Sequence, residues 1–388
     1  MRDLFLLDPE LVFLNHGSFG ACPAEVFVAY QRWQRELERN PVEFLGRRSA
    51  ALLWEARSAL AAYLGTRPEL LVFLPNTTHG VNTVLRSLPL AAGDEVVTTD
   101  QEYGACDAAW EHACERAGAR YVHAEIPLPF RAEELAERVW SAVTPRTRAL
   151  YLSHITSTTA LTFPLAELIQ RARAAGILTI VDGAHAPGHV TLGLDALGAD
   201  FYTGNCHKWL CAPKGTAFLW ARAEHHARLE ALVTSWGYAP QVSGHTGFDA
   251  YTGTTLLERR HQWQGTRDLA AFLTVPDAIA FQKRHAWEGV RERCHALAAE
   301  ALRQVSELTG LPPICLDRDF GQMVAIPIPK AGVDPVALKS ALFDKHRVEV
   351  PITSHGEHLF VRVSIQGYNS LQDVDALAQA LKEELRVR

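Results

Sequence analysis

The sequence predicts an α/β protein: a large domain on a mostly parallel, seven-stranded sheet, followed by a smaller α+β domain. Three observations predict it. Between residues 70 and 220, short apolar runs alternate with stretches of helical periodicity, the pattern of strands buried under crossover helices. After about residue 270 the texture changes to long helical stretches with a few late strands. The 388 residues, 48% of them hydrophobic, suffice for a large core and a smaller companion. The expected division is 16–268 for the large domain, with 1–15 and 269–388 forming the small one.

After an extended opening, Ala24 to Ala62 have helical periodicity, interrupted at Asn40–Pro41. The strands then follow in order: Leu70–Leu74, Glu95–Thr98, Arg120–His123, Ala149–Ser153, Leu178–Val181, Phe201–Thr203 and Thr216–Trp220. Helices are expected near 79–89, 104–117, 131–143, 164–175 and 224–234. A helical stretch over 272–308 leads to a strand at Gln322–Ile328 and a helix at 334–345. Strands near Val348–Pro351 and Phe360–Ser364 and a last helix at Leu371–Leu385 complete the chain. The first fifteen residues are expected to pack with this second part.

Composition excludes several classes of function. The net charge is −6, with no block of like charges. A nucleic-acid binder would show a basic stripe. No apolar run approaches the roughly 18 residues of a membrane span, and the acidic N-terminus is not a signal peptide. These features predict a soluble, cytoplasmic protein. Seven cysteines, odd in number and without CxxC spacing, read as thiols in a reducing compartment. Seventeen histidines show no metal-ligand spacing, so no metal is expected. His225–His226 reads as the solvated face of a charged helix.

The chemistry concentrates in two segments. In TIVDGAHAPGH (179–189) a buried strand ends in Asp182 and a Gly-containing turn. Ligands of parallel sheets bind at the carboxyl ends of strands, so Asp182 faces a cofactor or else caps the turn. In ADFYTGNCHKWLCAPKGTAFLW (199–220) Lys208 lies between two apolar strands. A lone lysine is a surface residue by default. One so placed is half-buried, with a lowered pKa suited to Schiff-base chemistry.

Further motifs follow in a characteristic sequence: NTTHGVN (76–82), QEYGA (101–105), SHITS (153–157), DGAHA (182–186), TGNCHK (203–208), QGTRD (264–268) and VRVSIQGYN (361–369). Together they resemble the class V aminotransferases, fold-type-I pyridoxal 5′-phosphate enzymes, over nearly the whole chain. The resemblance implies a role for each residue. Asp182 pairs with the pyridine nitrogen, and Lys208 holds the cofactor and then serves as base at the substrate Cα. Thr77, Thr78, Thr203 and His207 hold the phosphate. Tyr103 stacks on the ring, though in isolation it reads equally as a core aromatic. His185 and Ser157 meet the phenolic oxygen. Arg362, mid-strand, binds the substrate carboxylate; alternatively it lies on a solvent face. Gly265 and Thr266 reach the phosphate of a second subunit, which implies a homodimer with shared active sites.

Within that family, the opening FLNHGSFGACP (13–23) is similar to the isopenicillin N epimerase branch. There, Asn15 or His16 meets substrate, or the segment is only a turn between domains. Arg47–Arg48 would bind a distal anion or belong to a charged helix face. No cysteine occurs from Leu316 onward, which argues against a persulfide-carrying desulfurase. The expected activity is epimerisation of an amino-acid-type substrate through a carbanion. The alternatives are a C–S lyase, an aminotransferase and a non-catalytic cofactor-binding protein. Tyr103, His16 and water are the candidates for the second acid/base.

Overall fold

The computed structural model describes residues 1–239 and 252–385. The large sheet holds β1 (Leu71–Leu74), β2 (Glu95–Thr99), β3 (Arg120–Ala124), β4 (Thr147–Ser153), β5 (Leu178–Asp182), β6 (Phe201–Asn205) and β7 (Ala217–Ala221). Their order is β1-β7-β6-β5-β4-β2-β3. Neighbours run parallel except β7, which is antiparallel to both β1 and β6. Each predicted strand of the sheet is present; all but the edge strand β3 are buried on both faces.

Helices α1 (Ala24–Arg39), α2 (Ser49–Tyr63), α3 (Thr77–Ser87), α4 (Gly104–Ala117), α5 (Leu135–Ser141) and α6 (Ala166–Ala174) surround the sheet. On one face Val72, Tyr151, Ile180 and Leu219 pack with Val84 of α3 and Trp110 of α4. On the other, Phe73, Leu150, Val181 and Tyr202 join Leu60 of α2 and Leu168 of α6. The interruption after α1 falls at Asn40, whose side chain accepts the Glu43 N–H as a cap.

A second, three-stranded sheet has the order β9-β10-β8, all antiparallel: β8 (Met323–Ile328), β9 (Ile352–His355) and β10 (His358–Ser364). It carries α8 (Trp287–Thr309), which follows α7 (Val275–Arg284), and lies near α9 (Pro335–His346) and α10 (Leu371–Leu385). The chain's opening joins this part. Val12–Phe13 pairs in parallel with Val348–Glu349, and Phe5 contacts Tyr368 edge-on.

Three local expectations are corrected. The stretch 224–234 forms a single 3₁₀ turn, Ala223–His225, instead of a helix. The Arg260 guanidinium takes the carbonyls of Ala227 and Leu229, each at 2.9 Å, which a helix would have used internally. His225 is buried, with Nε2 2.8 Å from Asp200, and is not on a solvated face. The span 272–308 breaks at Ala286, whose φ of +48° ends one helix before α8 begins. Strand β9 has no counterpart among the predicted strands.

These elements set the site at one edge of the large sheet. Ser153 and Asp182 end β4 and β5 side by side, and Thr203, in the middle of β6, is the partner of Asp182 in register. Because β7 runs backwards, the chain leaving β6 returns to the same edge, and residues 206–216 form a hairpin loop there.

Candidate active site

A cavity of about 540 Å³ opens at this edge, lined by residues of the large-sheet region, the 17–19 turn and the three-stranded sheet. Lys208 reaches it from the β6–β7 hairpin, and Asp182 from the end of β5. Thr77 and Thr78 come from the start of α3, Tyr103 from the turn before α4, and Arg362 from β10. Ser157, His185 and His207 line it as well.

Burial lowers the Lys208 ammonium to about 7, the Arg362 charge adds to the effect, and Asp182 opposes it. Its Nζ lies 3.2 Å from His185 Nε2. Asp182 is buried, which raises its pKa; three donors oppose that shift. The Ala184 N–H reaches one carboxylate oxygen at 2.9 Å, and the Tyr151 hydroxyl at 3.0 Å and Cys106 thiol at 3.7 Å reach the other.

At the opposite end, Asn76 caps α3 by accepting the His79 N–H at 2.8 Å, and the Thr77 N–H goes to Asn205 Oδ1 at 3.0 Å. The Thr77 hydroxyl is left buried with no partner. An anion at this helix start would satisfy it. His207 donates Nδ1–H to the Thr216 carbonyl at 2.9 Å, and burial pushes its pKa down to about 4.

Arg362 is 5% exposed, with no carboxylate partner among the described residues. Its Nη1 donates to the Ser157 carbonyl and Nη2 to the Ser18 hydroxyl at 3.1 Å, while Nε is buried without a partner. A guanidinium held in this way fits an incoming carboxylate.

Three expected residues, Asn15, His16 and Thr203, turn their polar atoms to partners outside the cavity. Asn15 donates to Glu349 at 3.2 Å and accepts from Ser18 at 2.6 Å. His16 is fully buried behind the lysine. Its Nδ1 accepts the Ala21 N–H and lies 3.0 Å from the Tyr368 hydroxyl, so Nε2–H donates to the Lys208 carbonyl at 3.0 Å. The Thr203 hydroxyl is spent on the Phe218 carbonyl at 2.8 Å. Gly265 and Thr266 lie outside this cavity, with Thr266 exposed.

Other residues reach the cavity that sequence reasoning passed over: Ser18, Phe19, Ser153, Asn205 and Lys214. Ser18 and Phe19 stand in the same LNHGSFG segment that drew attention to Asn15 and His16. Gly20 (φ +71°) follows, so close to the hairpin that a Cβ would strike the His207 carbonyl. Behind Ser153 lies Glu102, whose carboxyl accepts from Ser153 at 2.6 Å and Thr99 at 2.7 Å, and which burial raises to about 8. Among the described residues no cluster of His, Cys, Asp or Glu is arranged to hold a metal ion.

The sequence pattern of the aminotransferase class-V family matches residues 17–377. This chain belongs to that family. The family's cofactor is pyridoxal 5′-phosphate, and the free Thr77 hydroxyl, the buried Asp182 carboxylate and the low-pKa Lys208 fit its three ends. The chain is 39% identical to the isopenicillin N epimerase of Amycolatopsis lactamdurans, over 98% of this chain and 97% of that one. It is 28% identical to a probable chloroplastic L-cysteine desulfhydrase of Arabidopsis thaliana, over 98% of this chain and 84% of that one. A C-DES mutant, solved with glycine covalently linked to its cofactor, superposes with a TM-score of 0.83 at 20% identity, over 98% of both chains. That likeness establishes the fold, type I of the pyridoxal-phosphate enzymes.

Proposed function

We propose that this chain is an amino-acid epimerase of the isopenicillin N epimerase type, acting at the Cα of an amino-acid-derived substrate. The observation that carries the reading is the convergence of Lys208, Asp182 and Arg362 on one cavity. The 39% identity to an isopenicillin N epimerase favours epimerisation over other reactions of the family. Bound pyridoxal phosphate supplies the electron sink that makes a carbanion at Cα accessible.

The chain's own residues divide the remaining tasks. Arg362 grips the substrate carboxylate through its unpartnered Nε, braced by Ser18 and Ser157. Asp182 accepts the pyridine N–H. Thr77, Thr78 and His207 hold the phosphate, and His185 meets the phenolic oxygen with Ser157 nearby. Lys208, neutral above pH 7, takes the Cα proton. Epimerisation then needs a proton returned to the opposite face. Both nitrogens of His16 are engaged away from the cavity, whereas Tyr103 lines it with its ring half exposed, so Tyr103 is the better donor.

Several coarser features belong to the same proposal. The large domain spans 16–268 and the small one 1–15 with 269–388, in keeping with the separate seven-stranded and three-stranded sheets. Gly265 and Thr266, lying outside their own cavity, serve the phosphate of a second copy in a homodimer. The seven unpaired cysteines suit the cytoplasm. No helix among the described residues is long and apolar enough to cross a membrane.

A second reading is β-elimination from a cysteine derivative, favoured by the similarity to the Arabidopsis protein. One experiment separates the two. Single amino acids are incubated with the loaded enzyme in deuterated water. Deuterium at Cα with loss of optical purity supports the epimerase. Pyruvate and ammonia from a cysteine derivative would overturn it in favour of the lyase, and stoichiometric pyridoxamine phosphate in favour of transamination.

A further inference from the structure

Directly after the reactive lysine comes Trp209, fully buried although it adjoins a cavity residue. Its indole N–H points at His185 Nδ1, 3.2 Å away. On the other side of that imidazole, Nε2 lies 3.2 Å from Lys208 Nζ. An indole nitrogen is a donor and never an acceptor. His185 Nδ1 must therefore accept. A neutral imidazole carries a single proton, so that proton is on Nε2, the nitrogen facing Lys208 and the cavity.

Two further contacts hold the pair in place. His189 accepts the Gln322 N–H on Nε2 at 2.6 Å, so its proton sits on Nδ1 and is donated to the His185 carbonyl at 3.2 Å. The same His189 ring packs on the Trp209 indole, centroids 4.2 Å apart, while His16 approaches the indole at 5.0 Å. The indole thus has little room to turn away. His185 stays neutral across the working range, because burial and the nearby charges of Lys208 and Arg362 hold its pKa well below the usual imidazole value.

We propose that Trp209 is a positioning residue that locks His185 in the Nε2–H tautomer, so that His185 always presents a donor to the cavity. Toward the free protein's lysine this donor requires an acceptor, so the Lys208 amine takes the Nε2–H with its lone pair. Toward a bound cofactor it offers the same N–H to an anionic oxygen. Without the indole the other tautomer becomes accessible, and a lone pair would face that oxygen instead. The cofactor contact rests on the reading above, whereas the tautomer assignment stands on the protein alone.

The test is made on the wild-type protein, cofactor-free and loaded, labelled with nitrogen-15 in histidine and tryptophan. The expected result is a scalar coupling across the hydrogen bond between Trp209 Nε1 and His185 Nδ1, with the His185 proton on Nε2 in both forms. A proton on Nδ1, or no coupling in either form, overturns the proposal. Trp209→Phe adds a second reading. In the folded variant, Nε2 should lose part of its proton occupancy and the absorption pKa of the bound cofactor should rise; an unchanged tautomer also overturns the proposal. If wild type shows the coupling but pyridoxal phosphate never attaches to Lys208, the functional reading fails and the tautomer lock survives.

Discussion

The Tyr151 hydroxyl donates to Oδ2 of Asp182 at 3.0 Å, from the neighbouring strand and in full burial. Among the described residues, Cys106 is the only other side-chain donor to that oxygen. A hydrogen bond to a buried charged group contributes about 1.5–3 kcal/mol. Tyr151→Phe should therefore destabilise the cofactor-free protein by about that amount, read by urea unfolding. The loss should shrink once cofactor is bound, since the pyridine N–H then shares the carboxylate. An equal loss in both forms would separate Tyr151 from the cofactor's environment.

The lowered pKa of Lys208 has a definite pH signature. The amine is neutral above about 7, so covalent capture of pyridoxal phosphate by the cofactor-free protein should accelerate through pH 7 and then level off. Stopped-flow absorbance at a series of pH values checks this. A rate still climbing in the ordinary lysine range would refute it. Linkage gives the matching stability trend. Between about 7 and that range the unfolded chain holds a proton at this lysine that the folded chain does not, so this group adds stability as pH rises through the window.

Arg362→Lys keeps the charge and loses the fork. Lysine cannot use the Nε and Nη positions together, so substrate binding should weaken by roughly 10- to 100-fold, the equivalent of about 1.5–3 kcal/mol. Spectral titration of the loaded enzyme with an amino acid measures it. The corresponding amine lacking a carboxylate should bind wild type and variant alike.

Tyr103→Phe separates the two proton transfers. A positioned acid is worth about 10²–10⁴-fold, so inversion at Cα should slow by about 100-fold or more. Exchange of the Cα proton with retention should persist through Lys208. Chiral chromatography and proton NMR of the same reaction give both rates. Equal slowing of inversion and exchange would remove Tyr103 from the acid/base role.

Arg57 of α2 is fully buried and bonded to Glu258 and Gln262. Arg57→Ala leaves the Glu258 carboxylate buried without its cation, which costs about 3–5 kcal/mol. Denaturant unfolding should register that loss in cofactor-free and loaded protein alike.

The parts legible from sequence were those where local chemistry and burial agree. The central strands of the large sheet are buried on both faces and mostly apolar, so their runs stand out whatever the tertiary context. Asp182 was legible because it ends such a run, and Lys208 because it lies in the loop between two strands. What stayed hidden depended on long-range partners. Nothing local marks Ala227 and Leu229 as carbonyls that Arg260 will claim, so a charged stretch read as a helix. Strand β9 reads Ile-Thr-Ser-His and gains its strand character only from pairing with β10. Asn15 and His16 stood in the right segment, but the turn His16–Phe19 directs Ser18 and Phe19 into the cavity and His16 away from it.

That turn places one imidazole where three distant segments of sequence meet, since His16 bonds the Lys208 carbonyl and lies beside the Tyr368 hydroxyl. During synthesis the lysine emerges long before residue 368 does. The brace behind it is completed only once the chain has been made through Tyr368. Nascent chains stalled short of Tyr368 should accordingly fail to retain pyridoxal phosphate, even with the whole large sheet already outside the ribosome.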